Sequence, residues 1–242
     1  MTPPRRGEET RRPNTATSTA HGFDTTPCSE RCAELWRRGD HALLGVSTGN
    51  GYFTQERLLS LVNWAGHHFA EVDLMYVDTH IDSTLIAGGA TPAEAARHVK
   101  SRLRDIRRKM RRVVEQHAAP CLRVRALSEF QAEPAYHRAK HRTDEALATD
   151  PVFADACADL VRRFLAGGGA DVPAERIRAG MDYLLAELPF FLDAPALFGV
   201  RSSMICYHLS TPVVEYLSRP DNGVLPADRE HGFLVVEPNS SS

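Results

Sequence analysis

Ser47 closes the apolar run His41-Ala42-Leu43-Leu44-Gly45-Val46 and is followed by Thr48-Gly49-Asn50. An apolar strand that stops at a serine between glycines presents the hydroxyl at the carboxyl edge of a sheet, where α/β proteins bind ligands. Glycine lets the backbone approach a substrate closely, and Asn50, three residues on, is placed to reach a group held at Ser47. The chemistry this allows is nucleophilic, with a serine oxygen taking an acyl group. Gly45 to Gly49 also fits the G-x-S-x-G turn of α/β-hydrolases, which comes after several strands rather than the first recognisable one. A plain turn serine is the third reading.

Two later pairs supply groups that handle protons and cations. Tyr183 and Glu187 are four apart, share a helix face and have apolar neighbours. A carboxylate near apolar surface is costly unless it meets a cation or hydrogen bonds. Met204-Ile205-Cys206-Tyr207-His208 repeats the design of the serine strand, with apolar residues followed by polar ones. Taken singly, Tyr207 and His208 fit hydrogen-bonded core residues equally well. Taken with Ser47, the pairs complete an acyl-transfer site of nucleophile, ammonium-binding carboxylate and phenolic proton carrier.

A third feature is charge. From Arg97 to Arg112 nine positions are Lys or Arg and only Asp105 is acidic. Val99, Leu103, Ile106, Met110 and Val113 form one apolar stripe, which leaves Arg97, Lys100, Arg104, Arg107, Arg108, Arg111 and Arg112 on the remaining surface. A solvated helix would carry acidic partners one turn away. Their scarcity favours a groove for an RNA backbone over a merely soluble face, and predicts salt-dependent binding.

The elements that position these groups alternate. Strands are expected at His41 to Val46, Glu71 to Asp78, Cys121 to Ala126 and Ser202 to Tyr207. Helices are expected at Thr54 to Phe69 with Thr54 as cap, and from the Thr91-Pro92-Ala93-Glu94 capping box to Gln116. Further helices start near Glu133, span Pro151 to Leu165 before a stop at Gly167-Gly168-Gly169, span Pro173 to Leu188 before a break at Pro189, and begin at Pro212. Alternation implies parallel βαβ units, hence an α/β, Rossmann-like open parallel sheet with helices on both faces. One domain is expected over 28–236, between disordered tails at 1–27 and 237–242 that have little apolar surface to bury.

Composition narrows the class. The formal charge of −2 gives no global reason to bind nucleic acid, so the basic helix must act locally. Five cysteines without C-x-x-C spacing fit reduced cytosolic thiols. No stretch nears the ~20 apolar residues of a membrane span, and the N-terminus lacks a signal-type apolar core. A soluble cytoplasmic protein is expected.

The His41-to-Ser47 motif with Asn50, the Tyr183-x-x-x-Glu187-x-Pro189 motif and Tyr207-His208 together resemble the cyclodipeptide synthases, over about Asp40 to Leu217. Asn50, Tyr207 and His208 match the subgroup marked by Asn, Tyr and His. The resemblance implies a monomer with a fold similar to the catalytic domain of class Ic aminoacyl-tRNA synthetases, the tyrosyl and tryptophanyl class. It implies two aminoacyl-tRNAs as substrates and no cofactor. An aminoacyl-tRNA is already an activated ester, so neither ATP nor a metal is required.

By the same resemblance, Ser47 carries the aminoacyl group and Tyr183 with Glu187 binds its ammonium. Asn50 supports the acyl group and Tyr207 relays protons, while His208 gives a supporting hydrogen bond. Leu43, Gly45, Met75, Phe190 and Ile205 line the first side-chain pocket, which the bulk of Phe190 and Met75 suits to a small or medium residue. The seven basic residues of the long helix hold tRNA. His41 is structural, His137 with His141 lacks the second pair a zinc site needs, and His67, His68, His80 and Asp82 fit surface or turn positions. Trp64 belongs in the core. A serine hydrolase would need a late base, with His208 or His231 available, and leaves the basic helix idle. A non-catalytic RNA-binding protein leaves the serine and Tyr-Glu motifs idle.

Overall fold

Strands buried on both faces carry unbroken apolar runs, and Ala42 to Val46 is one: Leu43 faces one hydrophobic core while Ala42, Leu44 and Val46 face the other. The computed structural model describes residues 22–117, 121–166, 172–219, 222, 225 and 227–239. Six strands, β1 (Phe23–Pro27), β2 (His41–Val46), β3 (Glu71–Tyr76), β4 (Leu122–Ala126), β5 (Ser203–Tyr207) and β6 (His231–Pro238), form one sheet in the order β1-β6-β5-β2-β3-β4. The helices are α1 (Glu30–Arg38), α2 (Gln55–His68), α3 (Ile81–Ala87), α4 (Pro92–Gln116), α5 (Pro134–Thr149), α6 (Pro151–Ala166), α7 (Ala174–Phe198) and α8 (Pro212–Leu217). Residues of α1, α2 and α4 pack on one face of the sheet, and residues of α5 to α8 on the other. The Rossmann-like expectation holds.

Local signals act where expected. The Thr54 side chain accepts from the Arg57 N–H at the start of α2, and the Thr91–Glu94 capping box opens α4. Ile106, Met110 and Val113 are buried. Trp64 is core, beside Trp36, Phe23 and Phe69.

Several expectations need correction. The sheet is mixed: β1 runs antiparallel to β6, with Phe23 opposite Pro238 and Asp24 opposite Glu237. Residues 23–27 and 237–238 are therefore strand, not tail. Their signal is only a short alternation in which Phe23 and Thr25 turn inward. The expected tails over 1–21 and 240–242, and the Gly167-Gly168-Gly169 stop, lie outside the described residues. Pro189 does not end its helix. A mid-helix proline removes one N–H donor and crowds the carbonyl four residues back, yet the helix runs on through Pro189 and breaks only at Asp193, where a kink with φ −152° and ψ 53° joins it to a short second helical segment ending at Phe198. Pro189, Phe190 and Leu192 are buried, and that packing holds the chain through the proline.

A polar clamp ties four strands together at the amino edge. In it His41 Nδ1 lies 2.7 Å from Ser203 Oγ and Nε2 lies 3.0 Å from Asp73 Oδ2, and Arg123 reaches the same oxygen at 2.6 Å. Burial raises the Asp73 pKa, but bonds from His41 and Arg123 outweigh it and hold the carboxyl below its usual range. His41 is thus structural, as its place at the strand's start implies.

Candidate active site

The chain lays β2, β3 and β4 outward in one direction, then returns to place β5 and β6 on the other side of β2. That reversal makes the carboxyl ends of β2 and β5 a topological switch point, where open α/β sheets hold ligands. Ser47 follows β2 directly. The register of Leu43 with Ile205 and Leu44 with Cys206 brings Tyr207 to the same edge. Both polar ends were legible as strand termini; their adjacency is a product of strand order.

The turn after Ser47 is closed by the Asn50 N–H donating to the Ser47 carbonyl at 3.2 Å. Gly49 takes φ +88°, a conformation that favours glycine. The Tyr52 N–H donates to Asn50 Oδ1 at 2.9 Å, which pins the carboxamide. On the opposite wall, α7 presents Tyr183, Glu187 and Phe190 at spacings of four and three.

These groups meet around one cavity of about 450 Å³. Ser47, Asn50, Tyr183, Glu187 and Tyr207 line it, as do Leu43, Gly45, Met75, Phe190 and Ile205. Two exposed apolar side chains, Phe164 and Leu209, also border it. Burial pushes the Glu187 carboxyl up to about 8. Burial raises the Tyr183 hydroxyl well above its usual range, and Glu187 and Tyr207 add to the rise while Ser47 and Arg102 oppose it. Tyr207 is pushed up to about 12 by burial against the pull of Ser47 beside it. Ser47 and Asn50 lie near the Tyr207 oxygen without reaching hydrogen-bond geometry, and among the described residues that buried hydroxyl has no hydrogen-bond partner. All three groups are neutral at pH 7. An incoming ammonium would return Glu187 to its carboxylate form.

His208 departs from expectation. Its ring stacks on Tyr52, with centroids 3.7 Å apart and planes at 12°, outside the cavity lining. Burial pushes it down to about 4, and its Nδ1 is buried without a hydrogen-bond partner. The support it gives Tyr207 is ring packing at 4.3 Å between centroids, not a hydrogen bond. His231 starts β6 at the opposite edge of the sheet, paired with Ser203. Neither histidine is placed as a base for Ser47, which removes the footing of the hydrolase reading. Among the described residues no group of three or more His, Cys, Asp or Glu gathers into a metal site, His137 and His141 included.

The seven basic residues of α4 are exposed. Arg108 pairs with Asp105 at 2.5 Å, and Arg107 Nε donates to Tyr76 Oη at 3.2 Å, where β3 ends. Two cations were missed by assigning α4 an apolar stripe alone. Lys109 donates to the Phe53 carbonyl at 3.1 Å, and Arg102 lines the cavity itself. Their seven-residue separation was the available signal.

Fold and site thus define a Rossmann-like α/β protein with a serine-centred pocket at the switch point. The model of the cyclodipeptide synthase family matches residues 23–238, and the chain belongs to that family. The cyclo(L-leucyl-L-phenylalanyl) synthase of Streptomyces noursei is 44% identical over 223 residues, covering 90% of this chain and 93% of that protein. The cyclo(L-tyrosyl-L-tyrosyl) synthase of Mycobacterium tuberculosis H37Rv is 38% identical over 225 residues, covering 91% and 78%. A crystal structure of cyclo(L-leucyl-L-phenylalanyl) synthase superposes with a TM-score of 0.84 at 43% identity, over 90% of this chain and 99% of that one. A Mycobacterium tuberculosis structure gives 0.85 at 38% identity, over 94% and 98%, and is described as relating cyclodipeptide synthetases to type I tRNA synthetases.

Proposed function

We propose that this cyclodipeptide synthase draws both amino acids from aminoacyl-tRNAs and works by ping-pong transfer through an aminoacyl ester on Ser47. The observation that carries this reading is the convergence of Ser47, Glu187, Tyr183 and Tyr207 on one cavity beside the arginine-rich α4. The identities of Asn50, Tyr207 and His208 support a reading of the chain as a member of the family's Asn-Tyr-His subgroup.

Ser47 Oγ attacks the ester carbonyl of the first aminoacyl-tRNA. The bond to the terminal ribose breaks, and the serine proton passes to the departing ribose oxygen by way of Tyr207. Glu187 and Tyr183 hold the ammonium of the bound residue. The Thr48 and Gly49 N–H groups, which donate to no backbone carbonyl among the described residues, are the donors assigned to the oxyanion. Glu187, with its proton affinity near neutral pH, then takes a proton from that ammonium. The freed amine attacks the ester of the second aminoacyl-tRNA, which releases that tRNA and leaves a dipeptidyl ester on Ser47. Its new terminal amine attacks this ester, Tyr207 relays the amine's proton to the departing Ser47 Oγ, and a six-membered diketopiperazine is formed. Leu43, Met75, Phe190 and Ile205 suit the first site to an apolar side chain, of small or medium size because Met75 and Phe190 fill its walls.

Incubation with labelled aminoacyl-tRNA and protein mass spectrometry tests the reading. Label is expected on Ser47 and absent from Ser47→Ala, and diketopiperazines are expected in the medium of bacteria expressing the wild type. Soluble wild-type protein that acquires no label and yields no cyclic dipeptide would overturn it.

A further inference from the structure

One cation of α4 behaves unlike its neighbours. Ala95, Arg102, Ile106, Lys109 and Val113 recur at intervals of seven, four, three and four, which is an inward stripe of the helix. Ala95, Ile106 and Val113 on it are buried, and Lys109 is held by the Phe53 carbonyl and by Asp105 at 3.2 Å. At Arg102 the same stripe meets the Ser47 cavity instead of core. A Cβ built on Gly49 would stand 3.3 Å from Arg102 Cδ and Nε and 3.4 Å from Cζ. The guanidinium therefore lies against the turn that follows Ser47, in a space open because residue 49 has no side chain.

Arg102 lacks what the other inward cation has. Among the described residues no hydrogen bond or ion pair engages it, whereas Arg108, Lys109, Arg123 and Arg125 each hold a carboxylate. It is also the one Lys or Arg among the described residues that line the cavity. Five unused N–H donors in a planar fork suit bidentate recognition of an oxyanion such as phosphate. An aminoacyl-tRNA ester sits on the terminal ribose, and one ribose away lies that nucleotide's 5′ phosphate. A substrate with its carbonyl at Ser47 and its backbone along α4 must bring that phosphate past the Gly49 turn.

We propose that Arg102 grips the terminal 5′ phosphate of the first aminoacyl-tRNA and so sets the ester carbonyl over Ser47 Oγ. This rests on the acyl-transfer reading above. Arg102 is a positioning residue: the phosphate keeps its bonds, and the effect on the reaction is one of alignment. Arg97, Arg104, Arg108, Arg111 and Arg112 serve overall tRNA affinity, and Arg102 serves the register of the acceptor end. Gly49 matters for a second reason besides its φ, because a Cβ there would press on the guanidinium and push it by a few tenths of an ångström.

The test compares acylation of Ser47 from two small donors in single-turnover experiments. One is an aminoacylated CpCpA trinucleotide, which has the terminal phosphate and no tRNA body; the other is 2′(3′)-O-aminoacyl-adenosine, which has no phosphate. Wild type should prefer the trinucleotide. Arg102→Ala should slow acylation from the trinucleotide on the order of 100-fold, the size of a misalignment effect, and leave the adenosine donor's rate unchanged. Arg102→Lys, a charge without the fork, should recover part of the loss. Unchanged melting of both variants checks the fold, since the side chain is exposed and unpaired. Equal losses on both donors would assign Arg102 a structural role, and a loss confined to full-length tRNA would assign it to general affinity; either overturns the proposal. Wild type that is acylated by neither donor nor by aminoacyl-tRNA would sink the parent reading instead.

Discussion

Glu187 shows how one side chain joins stability to chemistry. Its carboxyl keeps a proton to about pH 8 in the folded chain, against an ordinary value of 4.5. Between those values the folded state binds the extra proton, so stability must fall as pH rises through that window. Glu187→Gln cannot ionise, and its melting temperature should vary less from pH 4.5 to 8 and exceed the wild type's at the upper end. Identical profiles would mean that burial does not hold the proton. The same substitution should abolish cyclic dipeptide formation, because an amide neither fixes an ammonium nor accepts its proton. Tyr183 and Tyr207 escape this trade, being neutral at every pH at which the enzyme would work.

At the scale of elements, the two edges of the sheet divide the labour. The amino edge holds the clamp of His41, Asp73, Ser203 and Arg123, which sets the register of β5, β2, β3 and β4. Removing one partner of a buried charged cluster strands the others, at a cost of about 3–5 kcal/mol. Asp73→Ala should therefore lower stability by about that amount in urea unfolding. A loss under about 1 kcal/mol would show that water relieves the cluster instead. The register fixed there is felt at the carboxyl edge, where Ser47 and Tyr207 must emerge side by side. On α4, Arg107 is partly engaged by Tyr76 and Arg108 by Asp105, yet both remain exposed. Replacing both with alanine should weaken tRNA binding, reduce its salt slope by about 2, and leave the melting temperature within a few degrees. A salt slope equal to wild type would place the tRNA track on another surface.

At the scale of the whole molecule, a chain of net charge −2 is proposed to bind a polyanion through one helix. Most of its acidic residues lie outside α4, so the positive field of that helix is a local one. No described helix is long and apolar enough to cross a membrane. The cavity is largely apolar and is bordered by the exposed side chains of Phe164 and Leu209, so the proposed substrate's charged backbone and its apolar side chain would meet different walls of one site.

By itself the sequence determined whatever depends on neighbours in the chain. An apolar run ending in a small polar turn makes a buried strand with an exposed end, a capping box starts a helix, and a four-residue spacing puts Tyr183 and Glu187 on one face. Hence Ser47, the α4 basic surface and the pocket residues were all legible. What depends on strand order and on the course of a helix past the sheet was not. Whether Arg102 meets core or cavity, whether His208 points at Ser47 or stacks on Tyr52, and whether Pro189 breaks α7 are each decided by contacts from distant segments. So is the pairing of the weakly patterned Phe23–Pro27 with a strand more than two hundred residues later, because tertiary packing overrules local preference wherever the local free-energy difference is small.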